Sequence, residues 1–529
     1  MSKIALVAIN AKYVHSSLAV WVLAGGVSKY GCTQHDIKVI EATIHQENRD
    51  IAGQVTVFAP DVVGISTYIW NAEKLQDLLI LLKEKLPKAI FVLGGPEASH
   101  NSEHWLANGA DYILHGEGEY TLPLLLDTLG GAKPMQSEPE RPIEPIDPYS
   151  GAYFDALGGR IAYIETSRGC PYQCSFCLSG GSGVVFFPLD AIKNQLYKLS
   201  RSGTKTIKLV DRTFNCNANR AYELFEYIIG LDTECCFHFE VAADLFDDRT
   251  ISLLSSAPSG RIQIEAGLQS YYEPALKASS RQTDIEKAEM NIRLLLKNNN
   301  VHIHIDLIAG LPYETLSNFQ GGFNRAFALG AHTLQLGFLK LLHGSEIRAQ
   351  AEDLQIQYSS RPPYEIVCSP WLNAEDLQTL RQTENALRHT YNKGRFLSAF
   401  GYVASISGLQ PFSLFHALGE IAPNHGTHLT DYARQIYDCF ARLPNVCGEK
   451  LRDCMVCDWL SMVKGKNMPD FLRNQDKRRA QLIKAAGNSF GHVVARDEAA
   501  VLRSGAGVIV DSNDRDPVAG LYRLSFIDV

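Results

Sequence analysis

The chain has 529 residues, 46% of them hydrophobic and 20% charged, a globular composition that excludes disorder and fibrous repeats. At roughly 150 residues per domain it holds three domains, or two if one is a large barrel. Fifty basic against 58 acidic residues give a net charge of −8, which excludes bulk nucleic-acid binding by a basic face. The chain opens on Ile4-Ala-Leu-Val-Ala-Ile9, which reads as a strand. The run is too short for a signal peptide, and no later apolar stretch reaches the ~20 residues of a membrane helix. A helix is expected over 17–30, a second strand over 36–41, a third over 62–66, a helix over 72–86, a fourth strand over 89–93 and a fifth over 112–114. Short apolar strands spaced by helices predict a doubly wound, Rossmann-like parallel sheet over 1–131. Ligands of such sheets sit at the strands' carboxyl ends. Here those ends carry Asn10, Ser66-Thr67, Gly94-Gly95-Pro96 and Gly116-Glu117.

A linker is expected over 132–158, where five prolines fall between Ala132 and Ser150 without periodicity. A new run of strands then starts near 160–166 and recurs near 206–210, 237–241, 262–265, 301–306 and 333–336. Six such units predict a partial (β/α)6 barrel over 159–362, with its chemistry again at the carboxyl ends. From 363 to 529 the strand rhythm gives way to a mainly helical domain, with helices over 373–391 and much of 408–486. Stretches near 505 and 520 could close a small sheet.

The decisive segment is Thr166-Ser-Arg-Gly-Cys170-Pro-Tyr-Gln-Cys174-Ser-Phe-Cys177. Three thiolates spaced CxxxCxxC after a strand can hold one corner of an iron–sulfur cube, leaving one iron open. The alternatives are buried structural cysteines or part of a zinc knuckle, which would need a fourth ligand nearby. Twelve cysteines in a chain without an export signal point to the reducing cytoplasm rather than to disulfides.

This segment resembles the CxxxCxΦC motif of the radical SAM superfamily, with Phe176 as its aromatic residue. The resemblance implies a [4Fe-4S] cluster on Cys170, Cys174 and Cys177, with S-adenosylmethionine chelating the open iron. Reductive cleavage there would give a hydrogen-abstracting 5′-deoxyadenosyl radical. Gly267-Leu-Gln269-Ser270 is similar to a strand end of the family's coproporphyrinogen oxidases. The resemblance extends to Arg281, Asp306 and Glu240, which it implies hold the methionine carboxylate and the ribose. A guanidinium suits a carboxylate, and carboxylates suit hydroxyls. Gly310-Leu-Pro312-Tyr-Glu314 reads as a structural turn. The family's Gly-Gly-Glu motif is missing, its place taken by Asp211-Arg212-Thr213-Phe214, a pattern usual in the cobalamin-binding branch.

Val92-Leu-Gly94-Gly95-Pro96-Glu97 with Gly116-Glu117-Gly118-Glu119 resembles the cobalamin-binding domain fused to many radical SAM proteins. It implies that Gly94, Gly95, Gly116 and Glu117 approach the corrin edge or nucleotide tail, with Ser66 and Thr67 offering hydroxyls. The Asp-x-His-x-x-Gly motif that supplies an axial histidine to cobalt elsewhere is absent; His15 could approach the corrin or be a surface residue. Residues 1–350 thus resemble the class B, cobalamin-binding radical SAM proteins. The carboxy-terminal third resembles a domain of unknown function that accompanies one branch. There, Cys439, Cys447, Cys454 and Cys457 could hold an auxiliary cluster or a zinc ion, or fill a helix interface as small apolar residues. Cys32, Cys216, Cys235, Cys236 and Cys368 read as inert.

The resemblance implies an enzyme that methylates an unactivated carbon of a small molecule or peptide, fed electrons by a flavodoxin or ferredoxin. Two other outcomes are a radical rearrangement or ring closure in which cobalamin is not the methyl donor, and a non-catalytic cobalamin or iron–sulfur sensor.

Overall fold

The computed structural model describes residues 2–131, 144–181, 183–421, 428–463, 468–474, 478, 480, 482–483 and 498–527. Strand β1 (Lys3–Asn10) is buried along nearly its whole length, because its alternate apolar residues pack on opposite faces. Ala5, Val7 and Ile9 join one core, and Ile4, Leu6 and Ala8 the other. Such two-sided burial is why parallel strands read as continuous apolar runs. With β2 (Asp36–Thr43), β3 (Val62–Ser66), β4 (Ile90–Gly94) and β5 (Tyr112–Ile113) it forms one sheet in the order β2-β1-β3-β4-β5. Every pair is parallel, so all five carboxyl ends share one edge. Most of the expected linker, 132–143, lies outside the described residues; a short helix, Gly151–Leu157, precedes the second sheet.

That sheet contains β6 (Ala162–Ile164), β9 (Thr206–Leu209), β10 (Cys236–Val241), β11 (Ile262–Gln269), β12 (Val301–Ala309) and β13 (Thr333–Phe338), all parallel, in the order β13-β12-β11-β10-β9-β6. Among the described residues β6 and β13 do not pair, so the barrel is incomplete. β11 and β12 alternate strictly in burial. Ile262, Ile264, Ile303 and Ile305 join the apolar core, and the intervening Glu265, His304 and Asp306 line the lumen. Between β6 and β9 lies an antiparallel hairpin of β7 (Ser167–Cys170) and β8 (Gly183–Phe186), which the apolar pattern does not announce.

The helices Ala374–His389, Leu397–Ser407, Pro411–Gly419, Leu429–Phe440 and Gly448–Met462 share one continuous core with the barrel. Phe327 of a barrel helix, for example, packs against Phe400 and Phe415. Strands β14 (Gln357–Tyr358) and β15 (Ile366–Cys368) form a small pair, and β16 (Ala499–Val501), β17 (Gly507–Arg515) and β18 (Tyr522–Ile527) a three-stranded sheet. The turn between β17 and β18 reaches the amino-terminal end of the barrel. There His302 Nδ1 donates to the Val518 carbonyl at 3.1 Å, and a Cβ on Gly260 would fall 2.8 Å from the Pro517 carbonyl oxygen. No helix among the described residues is long and apolar enough to cross a membrane.

The first sheet is docked on the barrel through Glu41. Its carboxylate receives the Asn10 amide, the Ser17 N–H, the Trp21 indole N–H and both terminal nitrogens of Arg160, at 2.9–3.2 Å. Both members of the ion pair are nearly buried. Removing one side of such a pair strands the other in low dielectric. Glu41→Ala is therefore expected to destabilise the protein by about 3–5 kcal/mol, read as a fall in the denaturant midpoint.

Candidate functional site

The three cysteines are held by the local hydrogen-bond pattern before anything binds them. The Asp211 carboxylate fixes the start of the loop: it accepts the Thr166 N–H at 3.1 Å, the Thr166 hydroxyl at 2.7 Å and the Ser167 hydroxyl at 2.5 Å. Cys170 ends β7, and its Sγ is 3.5 Å from the Thr213 hydroxyl. The segment that replaces the family's usual glycine motif thus contacts the cysteine loop through both Asp211 and Thr213. Further along, Ser175 N–H donates to the Ser279 carbonyl, Cys177 N–H to the Cys174 carbonyl and Ile347 N–H to the Ser175 carbonyl. The Ser179 N–H points at Cys177 Sγ from 3.4 Å. Phe176 packs against the barrel core.

Arg281 joins this loop to β11. Its Nη1 lies 3.8 Å from Cys174 Sγ, its Nη2 donates to the Gly267 carbonyl at 2.7 Å, and its guanidinium sits 5.6 Å from the Tyr172 ring centre. Burial raises the Cys174 thiol and the Arg281 charge opposes it. Gln269 takes φ +70 at a bulge in β11 and folds over Gly267, where a Cβ would meet its amide nitrogen at 2.2 Å. The expected quartet converges on the carboxyl half of the barrel: Gly267 pairs with Asp306, and Glu240 with Glu265. Gln269 Oε1 and Arg281 Nε are buried without a hydrogen-bond partner. Three soft thiol donors, an N–H···S contact and unsatisfied polar atoms fit an iron–sulfur cluster with a polar, charged ligand beside it.

Beneath Asp306 lie His238, Glu265 and His304, which no sequence motif marks. His238 Nε2 is 3.0 Å from Glu265 Oε2, His304 Nδ1 is 3.7 Å from the same oxygen, and His304 Nε2 is 3.0 Å from Asp306 Oδ1. Glu265, His304 and Asp306 are compact enough to surround a cation. A proton on His304 satisfies the same charge: burial opposes it, but Asp306 and Glu265 raise the imidazole's pKa. Burial pushes Glu240 up to about 7, against the pull of Arg212 and with Glu265 and Asp306 adding to the rise. The signal was present in the alternation of polar and apolar residues along β11 and β12. Cys216, read as inert, stands near the loop; burial and the neighbouring Cys170 raise its thiol.

At the facing edge of the first sheet, Gly95 has φ +99, and a Cβ there would fall 2.6 Å from the Thr67 carbonyl oxygen. The Thr67 N–H in turn donates to the Gly94 carbonyl at 2.7 Å. A Cβ on Gly94 would make only an ordinary 3.6 Å contact with Leu114, whereas Gly116, at φ +71, has open space above it. The two glycines of Gly94-Gly95 therefore differ: position 95 is fixed by the β3 loop, and position 116 is the open one. Ser66 and Thr67 are buried, and the Thr67 hydroxyl leans toward the Ile65 carbonyl. Glu117 lies 3.5 Å from Arg168 of the cysteine hairpin. His15 is no free surface residue: its Nδ1 shares a 2.6 Å hydrogen bond with the Tyr163 hydroxyl at the start of the barrel. In the carboxy-terminal third, Cys454 and Cys457 lie on the helix Gly448–Met462, where burial lifts their thiols to about 11 and about 12.

Comparison with known proteins agrees with this geometry. The B12 binding domain family matches residues 4–126, the Radical SAM superfamily residues 164–323, and a family of unknown function, DUF4080, residues 352–491. The chain is a radical SAM protein with a cobalamin-binding domain. This radical SAM protein is 22% identical over 431 residues to the cobalamin-dependent radical SAM methyltransferase TokK of Streptomyces tokunonensis, covering 74% of this chain and 63% of TokK. It is 26% identical over 238 residues to the hopanoid C-3 methylase of Methylococcus capsulatus, covering 40% and 45%. The chain therefore spans between about half and two thirds of the length of these relatives. Its fold is that of the radical SAM methyltransferase TsrM from Kitasatospora setae, with a TM-score of 0.56 at 17% identity over 69% of this chain and 79% of TsrM. It is likewise that of the cobalamin-dependent radical enzyme OxsB, with a TM-score of 0.59 at 14% identity over 86% and 78%.

Glu314 of the turn after β12 is 1% exposed and accepts the Ser270 hydroxyl at 2.5 Å, tying the ends of β11 and β12 together. Burial pushes its carboxyl up to about 7 from an ordinary 4.5, with Ser270 opposing the rise. A raised carboxyl stabilises the native state below its unfolded pKa, and that contribution is lost as the pH climbs through the native one. Between pH 4.5 and 7 this group should withdraw up to roughly 3 kcal/mol. Glu314→Gln is expected to flatten the slope, seen by comparing denaturant midpoints at pH 5 and pH 8 for both proteins.

Proposed function

We propose that this protein is a cobalamin-dependent radical SAM methyltransferase acting on an unactivated carbon of a small molecule or peptide. The observation that carries the reading is the placement of Cys170, Cys174 and Cys177 at the barrel mouth, beside Arg281 and facing the glycine edge of the first sheet. When bound, the cluster with S-adenosylmethionine supplies a hydrogen-abstracting radical and cobalamin supplies the methyl group. The chain's part is to hold and shield. Cys170, Cys174 and Cys177 would hold the cluster through their thiolates. Arg281 faces the methionine carboxylate with Gln269 beside it, and Asp306 and Glu240 accept from the ribose hydroxyls. Ser66-Thr67, Gly94-Gly95 and Gly116-Glu117 would hold cobalamin, and the sequence has no Asp-x-His-x-x-Gly motif to supply a histidine to it. Relatives named as methyltransferases support methyl transfer over ring closure, although a magnesium-protoporphyrin IX monomethyl ester cyclase of Rubrivivax gelatinosus is 23% identical over 348 residues. A flavodoxin or ferredoxin supplies the electron, in the cytoplasm.

Changing Cys170, Cys174 and Cys177 together to Ala is expected to remove the cluster and abolish 5′-deoxyadenosine production from S-adenosylmethionine. With the wild-type protein, reduced and loaded with cobalamin, S-adenosylhomocysteine should appear together with 5′-deoxyadenosine. If 5′-deoxyadenosine appears alone, ring closure or rearrangement replaces methyl transfer. Arg281→Ala and Asp306→Ala should each weaken S-adenosylmethionine binding by roughly 1.5–3 kcal/mol while iron content holds, as measured by equilibrium dialysis of the reconstituted protein.

A further inference from the structure

Arg168 occupies a place that neither the cluster nor its ligand accounts for. It lies inside β7, two residues before Cys170, and its guanidinium meets three carboxylates. Nε and Nη2 form a fork on Glu165 at 2.9 and 2.6 Å. Nη1 reaches across the domain boundary to Glu119 at 2.8 Å and to Glu117 at 3.5 Å. Glu117 and Glu119 flank the start of the helix Gly118–Leu129, in the loop that carries Gly116. One side of the guanidinium is therefore committed to the cysteine hairpin and the other to the glycine loop of the first sheet. The ring of Phe187, just beyond β8, lies 5.8 Å from its carbon.

The chemistry of the fork matters. A guanidinium offers five N–H donors in one rigid plane, so it can hold carboxylates on two edges at a fixed separation. An ammonium is a point charge on a flexible stem and fixes no such distance. Burial opposes the charge, yet Glu165 and Glu119 hold Arg168 firmly protonated. Without it, the fork on Glu165 and the bond to Glu119 would be lost together, and with them the link between the two loops. The Glu41–Arg160 pair docks the same two domains but touches neither the cysteine loop nor the Gly116 loop, so it serves as a natural control.

We propose that Arg168 is a positioning residue that sets the separation of the two cofactor sites by clasping the cysteine hairpin to the Gly116–Glu119 loop. The inference rests on the functional reading above and adds what keeps radical formation and methyl supply in register. Its loss should uncouple the two: the radical would form while the methyl donor is misplaced.

The test uses full-length, anaerobically reconstituted protein in four variants: Arg168→Met, Arg168→Lys, Glu119→Gln and Arg160→Met. The first readout is amide hydrogen exchange without cobalamin. Arg168→Met should speed exchange about tenfold in both 112–120 and 166–180. Glu119→Gln should reproduce the effect more weakly, which keeps the test open if Arg168→Met fails to fold. Arg160→Met should quicken 10–17 and 156–163 and leave 166–180 unchanged. The second readout is the ratio of 5′-deoxyadenosine to S-adenosylhomocysteine in loaded enzyme, which should rise several-fold in Arg168→Met with iron content unchanged, and rise in Arg168→Lys too. Unchanged exchange over 166–180 in both Arg168→Met and Glu119→Gln would overturn the clasp. So would an Arg168→Lys protein indistinguishable from wild type in both readouts. If wild type makes no S-adenosylhomocysteine, the methyl-transfer reading fails alone, and the exchange data still decide whether Arg168 joins the loops.

Discussion

Two parallel sheets can cooperate only if their carboxyl ends face each other, because that is where each sheet delivers its loops. Everything functional in this molecule depends on that opposition. Buried polar contacts help maintain it, beside apolar packing such as that of Trp21 on Tyr153: Glu41 gathers five donors from both domains, and Tyr364 donates to Glu97 at 2.6 Å farther along the boundary. Charge pairs of this kind are directional. They resist sliding and rotation in a way that apolar contact does not, and so fix the aim of one set of loops at the other.

Inside the barrel the same economy of buried charge recurs. Burial raises the Glu240 carboxyl, while histidines paired with Glu265 hold that carboxylate low, at about 2, in spite of its burial. Neighbouring carboxyls of the lumen are thus driven in opposite directions by their partners. A lumen built this way carries both proton donors and acceptors near neutral pH.

The large elements were legible in the residues because buried parallel strands must be apolar on both faces. Ile4–Ile9, Val62–Ser66 and Val301–Asp306 sit where the apolar runs put them, and the six barrel strands form one sheet. The hairpin of β7 and β8 was not legible: Ser167-Arg-Gly-Cys170 has no apolar face, and its pairing to Gly183–Phe186 depends on the cysteine loop that separates them. At the site, Cys170, Cys174 and Cys177 stood out through their spacing. Arg168 did not, since its meaning lies in Glu117 and Glu119 of another domain. Glu265 and His304 were hidden for a different reason: a polar residue within a strand declares itself only once the strand is known to line a lumen. The placement of His15 on Tyr163 likewise needed the docking of two domains.

The contact of Val518 with His302, and of Pro517 with Gly260, ties the turn between β17 and β18 to the foot of β11 and β12. Parts of the chain more than two hundred residues apart thus brace one strand: β12 meets that turn at His302 and, farther along, carries Asp306 beside His304. A disturbance of β17 or β18 would therefore be felt first at the start of β12, on the same strand as the paired histidine and aspartate.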